Sequence, residues 1–178
     1  MKTSRRIQKA LYLYIIPLII LFLIIGVCYN QISKNSGFDD LKRESINPPN
    51  DWGAQYNMDQ AQVVKGITQI MHFSGQASLD TNPKAKYGLS VSYVGDIRKQ
   101  MEHTFGKIDG LLLQAGMSKK NILHIRFYTV DMQGFLENYD VYSDWIKPAG
   151  IKPPQSLLGV EELALPEMLV EIEVTAGK

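Results

Sequence analysis

PPQSLLGV (residues 153–160) and LVEIEVTA (residues 169–176) lie near the C-terminal end of the sequence. Two prolines make a turn and the apolar run behind them reads as a strand. Extended outward, PPQSLLGVEEL (153–163) and MLVEIEV (168–174) are two strands separated by a turn around Pro166. The turn delivers Gln155 to the start of an apolar strand, a place from which a side chain can stand at the mouth of a pocket. The side chain there is an amide, with donors and an acceptor but no charge.

Working back along the chain, NILHIRFYTVD (121–131) alternates and is rich in aromatic and branched residues, which predicts a strand. MQGFLENYDVYSDWIK (132–147) reads as one helix with the stripe Phe135, Tyr139, Tyr142 and Ile146, ended by Pro148 and Gly150. A longer helix is predicted from Tyr93 to Ala115. Val94, Ile97, Met101, Phe105, Ile108, Leu112 and Ala115 recur at spacings of three and four, and Gly116 stops it. Gly106 and Gly110 weaken that helix by roughly 1 kcal/mol each relative to alanine and suggest a close approach to the sheet. AQVVKG (61–66) and ITQIMHFSGQA (67–77) read as a hairpin joined at Lys65-Gly66. Ser74-Gly75-Gln76 ends its second strand, and glycine there lets a ligand or another backbone come close. Residues 78–90 are a loop.

The order is ββαβαββ, an α+β class. Two helices cover one face of a sheet of five or so strands. His72, Ser74 or their neighbours lie on the other face, which would drive oligomerisation if it were largely apolar.

The 178 residues carry a formal charge of +1, which gives no support to nucleic-acid binding. Cys28 is the one cysteine, so the part after it holds no thiol nucleophile and no disulfide. Residues 1–9 form a basic tip. Residues 10–29, ALYLYIIPLIILFLIIGVCY, are uncharged and as a helix would cover about 30 Å. A cleaved signal would have a shorter apolar core and a small-x-small site. A lipoprotein signal would put a small residue where Val27 stands. A single-pass membrane helix fits best. The basic residues favour a cytoplasmic N-terminus and a domain on the outer, periplasmic or extracytoplasmic, side. Residues 30–55, with Pro48-Pro49 and Trp52, read as a linker, and residues 56–178 as the folded domain.

DQAQVVKG, FSGQASLD, LLLQAGMS, FYTVDMQGF and PPQSLLGVEELALPEMLVEIEVTA follow one another at spacings that resemble the Rid (YjgF) family of reactive-intermediate deaminases. The resemblance runs from about Met58 to Lys178. It implies a chorismate-mutase-like fold and a homotrimer, packed sheet to sheet into a barrel with small-molecule clefts between subunits. It also implies cofactor-free, metal-free hydrolysis of imines and enamines such as 2-iminobutanoate and 2-iminopropanoate. The family's P-x-R-[ST] arginine, which grips the substrate carboxylate, corresponds to Gln155, followed by Ser156. The family's water-positioning carboxylate corresponds to Glu171, with Glu173 on the same strand face. The family's tyrosine falls on Met58, two residues after Tyr56, and its cysteine on Leu157.

On this reading Glu171 is the catalytic residue, and Gln155, Ser156, Ser74, Gly75 and Gln76 contact the ligand. An amide offers ordinary hydrogen bonds of about 1 kcal/mol each in place of a charged fork. Arg126 is the nearest strand arginine that could replace the missing charge. His72, His103 and His124 show no metal spacing; His103 reads as solvated, and no Ser-His-Asp order stands out. Two functions compete: a cofactor-free imine or enamine hydrolase, and a non-catalytic trimeric module that binds a ligand or partner at the membrane.

Overall fold

The computed structural model describes residues 41–178. The basic tip, the apolar segment 10–29 and the linker as far as residue 40 lie outside them. Among the described residues no helix is long and apolar enough to cross a membrane.

The centre of the fold is strand β7, Ile122–Thr129, paired on both sides. On one side β9, Val170–Gly177, runs antiparallel to it; on the other β8, Gln155–Gly159, runs parallel. Two short strands, β3 (Ile70–His72) and β4 (Gln76–Ala77), pair antiparallel with the outer side of β9. Both last strands of the sequence reading therefore exist, but they flank β7 and are not paired with each other.

Alternation fixes which residues enter the core. Ile125, Phe127 and Thr129 of β7 and Val170, Ile172, Val174 and Ala176 of β9 are buried. Helix α1, Ile97–Gln114, packs Met101, Phe105, Ile108 and Leu112 against this cluster. It begins later than the spacing predicts. Asp96 caps it by accepting from the Lys99 N–H, and Gly95 and Tyr93, both at positive φ, turn the chain just before. Val94 is left exposed. Gly116 at φ 63° closes the other end, as expected. Gly106 and Gly110 approach nothing, since a Cβ on either would meet open space; the predicted close approach is absent.

The predicted second helix is two: α2, Met132–Glu137, and α3, Asp140–Ile146. The break at Asn138–Tyr139 lets the Asn138 side chain bond back to the Gly134 carbonyl. The rings of this region form a chain through the core. Phe105 stacks on Trp145 at 4.2 Å, Phe127 meets Tyr142 at 5.3 Å, and Tyr142 meets Tyr139 at 5.4 Å.

Two further corrections concern the N-terminal part. Strand β2, Ala61–Lys65, does not form a hairpin with β3. It pairs antiparallel with β1, Lys42–Ile46, which lies inside the span read as linker. β1 is docked: the Arg43 guanidinium donates to Gln62 Oε1 and to the carbonyls of Lys120 and Ile122. Ser45 and Asn47 donate to the buried Asp59 carboxylate. Finally, the span read as a loop, 78–90, contains β5 (Leu79–Thr81), which pairs with β6 (Leu89–Val91) as a separate ribbon.

The sheet face away from the helices is mostly polar. Arg126, Tyr128, Glu171, Glu173 and Thr175 are partly accessible there, with Ile70 and Leu158 the exposed apolar residues beside them. That face is not a continuous apolar surface, so a neighbouring subunit would meet it largely through polar groups.

Candidate functional site

Two of the residues singled out from sequence stand on opposite sides of the sheet. Gln155 pairs with the buried Ile125 and its amide points among the helices; Glu171 pairs with Tyr128, on the open face. Each lines its own cavity, and the two linings share no residue.

The Glu171 cavity, about 500 Å³, is walled by Gly75, Tyr128, Glu162, Glu171 and Glu173. Gly75 is a steric requirement. A Cβ at that position would lie 1.7 Å from Glu171 Oε1, so only glycine leaves the carboxylate where it is. Glu173 is spent: it accepts from Arg126 at 3.1 Å and from the Tyr128 hydroxyl at 3.1 Å. Arg126 is therefore committed to Glu173 and, being on the open face, does not reach the Gln155 side. Glu171 is free of such partners among the described residues, and burial together with the Glu173 charge pushes its carboxyl above the usual range. A raised, uncommitted carboxylate in a cavity is placed to take and return a proton. Ser74 and Gln76 do not line this cavity; Gln76 turns back to donate to the Ser74 carbonyl.

The Gln155 cavity, about 510 Å³, is walled by Trp52, Tyr56, Met58, Leu136, Tyr139, Gln155, Ser156 and Leu157. Among the described residues no charged one lines it. Gln155 Nε2 donates to the Tyr56 carbonyl at 3.0 Å and to the Tyr139 hydroxyl at 2.5 Å. The Tyr139 hydroxyl donates in turn to the Tyr56 carbonyl at 2.9 Å. Tyr56 accepts only, so the amide nitrogen faces it and both amide protons are used. Burial pushes the Tyr139 hydroxyl well above the usual phenol range, so it stays protonated. Gln155 Oε1 remains, buried and without a partner. Tyr56 and Met58, the two positions weighed for the family's tyrosine, both line this cavity.

A third grouping went unnoticed in the sequence. The Ser78 hydroxyl is 2.8 Å from His103 Nδ1, and His103 Nε2 is 3.9 Å from Asp80. His103 is therefore held, not simply solvated. Ser78 is 1% exposed and donates to the Ser92 carbonyl, so no substrate reaches its oxygen and the trio is a clasp between the ribbon and α1. Among the described residues no set of three His, Cys, Asp or Glu side chains converges to hold a metal ion.

The fold is a small α+β domain with helices on one sheet face and two separate cavities. Residues 54–178 match the family described as endoribonuclease L-PSP, and the chain belongs to that family, the Rid (YjgF) group of the sequence reading. It is 34% identical over 112 residues to a RutC family protein of Aquifex aeolicus, covering 63% of this chain and 83% of that protein. Among solved structures it resembles the Rid family protein YyfA of Yersinia pestis, at 29% identity and a TM-score of 0.52, covering 77% of this chain and all of that one. The fold also matches Yersinia pestis YyfB, at 24% identity and a TM-score of 0.63, over 76% of this chain and 98% of that one.

Proposed function

We propose that this protein is a membrane-tethered Rid protein that hydrolyses a small imine or enamine in clefts between the subunits of a homotrimer. The observation that carries the proposal is Glu171: a half-buried carboxylate with a raised pKa and no partner, in a cavity that Gly75 keeps open for it. In the reaction Glu171 takes a proton from water as the oxygen bonds to the imine carbon. Glu171 returns that proton to the nitrogen to give a carbinolamine. The second proton of the water then passes from the carbinolamine hydroxyl to the nitrogen as the C–N bond breaks, and a carbonyl compound and ammonia leave. No other group need be consumed. The separation of the Gln155 and Glu171 cavities within one protomer supports a cleft completed by a neighbouring subunit. The uncharged segment 10–29 supports tethering, and the basic residues before it support an outward-facing domain.

RNA cleavage, suggested by the family's description, finds no support in the cavities: neither is lined by a basic side chain among the described residues, and the carboxylates of the Glu171 cavity would repel phosphodiesters. A second reading, a non-catalytic trimeric binding module, is favoured by one observation: both Gln155 amide protons are already bonded internally.

Ammonia release by the full chain from freshly generated imines, beside its Glu171→Gln variant, separates the two. Turnover that falls at least about a hundredfold in the variant while ligand binding persists supports the hydrolase. Saturable binding without turnover in either protein supports the module. Sedimentation velocity tests the trimer.

A further inference from the structure

The charges of the domain are not spread evenly along its sheet. Strand β7 runs about 25 Å from Ile122 to Thr129. Several segments meet at its Ile122 end. Lys42 pairs directly with Lys65 across β1 and β2. Arg43 reaches from β1 to the carbonyls of Lys120 and Ile122. Arg43 also donates to Gln62, which in turn donates to the Lys152 carbonyl. Gln69 and Lys178 exchange backbone hydrogen bonds, and the Lys178 side chain donates to the Ala115 carbonyl. Lys42, Lys65, Lys119, Lys120, Lys152 and Lys178 are thus gathered at one end from five segments of the chain. The acids there are largely taken. Glu44 faces Lys65 at 3.9 Å, Asp109 faces Lys119 at 3.8 Å, and buried Asp59 accepts from Ser45, Asn47 and Gln62. Lys42, Lys120 and Lys152 are exposed and have no ion-pair partner among the described residues. The Thr129 end is the opposite. The loop 160–169 joining β8 to β9 carries Glu161, Glu162 and Glu167 and no lysine or arginine, and Glu162 lines the Glu171 cavity.

The basic end is also where the chain enters the domain, just before Lys42. Twelve residues, 30–41, join it to the uncharged segment 10–29, at most about 40 Å of chain. Asp39 and Asp40 lie in that stretch, so the net positive excess is modest and a free domain would bind lipid weakly. A tether changes the balance. It holds this end at high effective concentration beside the headgroups, where each lysine is attracted to anionic lipid. Charge and point of entry single out the same end of the molecule. We infer that this basic end is a lipid-facing surface, which rests on a bilayer with anionic headgroups and turns the Glu171 cavity toward water. The leaflet the domain faces must carry anionic lipid; which leaflet it is does not matter. The inference rests on the proposed function only in taking residues 10–29 as a membrane tether.

Lysine acetylation, read residue by residue by mass spectrometry, tests it on the full chain in lipid nanodiscs. One set of discs is phosphatidylcholine alone and the other contains phosphatidylglycerol as well. Lys42, Lys120 and Lys152 should react at least about fivefold more slowly in the anionic discs, and high salt should remove the difference. Lys84 and Lys86, exposed between β5 and β6, are the internal control and should react alike in both. Lys120→Glu combined with Lys152→Glu should abolish the protection of Lys42 while leaving the Tm near the parent's, since both side chains are exposed. Equal rates in the two lipids overturn the inference, because protection by a neighbouring subunit would not depend on headgroup charge. Equal slowing of Lys84 and Lys86 overturns it too. Co-elution of the chain with its discs in high salt tests the tether separately. A chain that elutes apart from them sinks the tether. Protection by added anionic vesicles would then keep the basic end as a lipid surface, and its absence would overturn that as well.

Discussion

The two faces of one sheet have opposite characters, although the same strands build both. Toward the helices, β7 and β9 present Ile125, Phe127, Val170, Ile172, Val174 and Ala176, all buried. One residue away in each strand, the other face presents Arg126, Tyr128, Glu171 and Glu173. The period of two separates what folds the chain from what could act on a ligand. Within the open face the division is finer still. Among the described residues Glu173 is bonded twice and Glu171 not at all, so two glutamates two residues apart stand in different environments.

The contrast can be broken most severely from the covered side. Phe127→Ala removes a fully buried ring that touches both Phe135 and Tyr142. It should cost about 3–5 kcal/mol in urea unfolding; a loss under about 1 kcal/mol would mean that the aromatic chain is not the centre of the core.

Gly75→Ala probes the boundary between the faces. The added methyl must push aside the end of the Glu171 side chain, which is flexible, so stability should fall by only about 1 kcal/mol. Any turnover that depends on Glu171 should fall with it. In a double-mutant cycle, adding Glu171→Ala should recover most of the lost stability; strict additivity would show that the clash is relieved elsewhere.

Arg126→Ala acts wholly on the open face. Its pair with Glu173 is partly exposed, so the change should cost at most about 1 kcal/mol and less in high salt.

The smallest effect has the opposite sign. Folding raises the Glu171 pKa, so the folded chain binds the proton more tightly than the unfolded one. The carboxyl favours folding at acid pH, and that advantage is lost as pH rises through the folded pKa. Glu171→Gln, neutral throughout, should therefore match the parent's Tm near pH 4 and exceed it by at most a few degrees at pH 7. A Tm lowered at pH 7 would show that the charge is stabilised by a partner.

Local pattern carried much of this to the reader of the sequence. β7 and the stripe Ile97, Met101, Phe105, Ile108 and Leu112 of α1 were legible because a strand or helix buried on one side repeats its apolar residues at a fixed period. The common face of Glu171 and Glu173 followed from the same rule. β1 was not legible: KRESI is short, polar and largely exposed, and it is a strand only because β2 and Arg43's carbonyl partners receive it. The hairpin expected at Lys65-Gly66 failed because turn residues permit a pairing without choosing the partner.

By itself, then, the sequence determined the α+β class, the family and the candidate residues Gln155 and Glu171. The tertiary structure alone decided that these two stand on opposite faces, that Tyr56 and Tyr139 consume the Gln155 protons, and that Gly75 makes room for Glu171. Periodicity is a property of one segment, whereas register between segments far apart in the chain is set by the packing of the whole core.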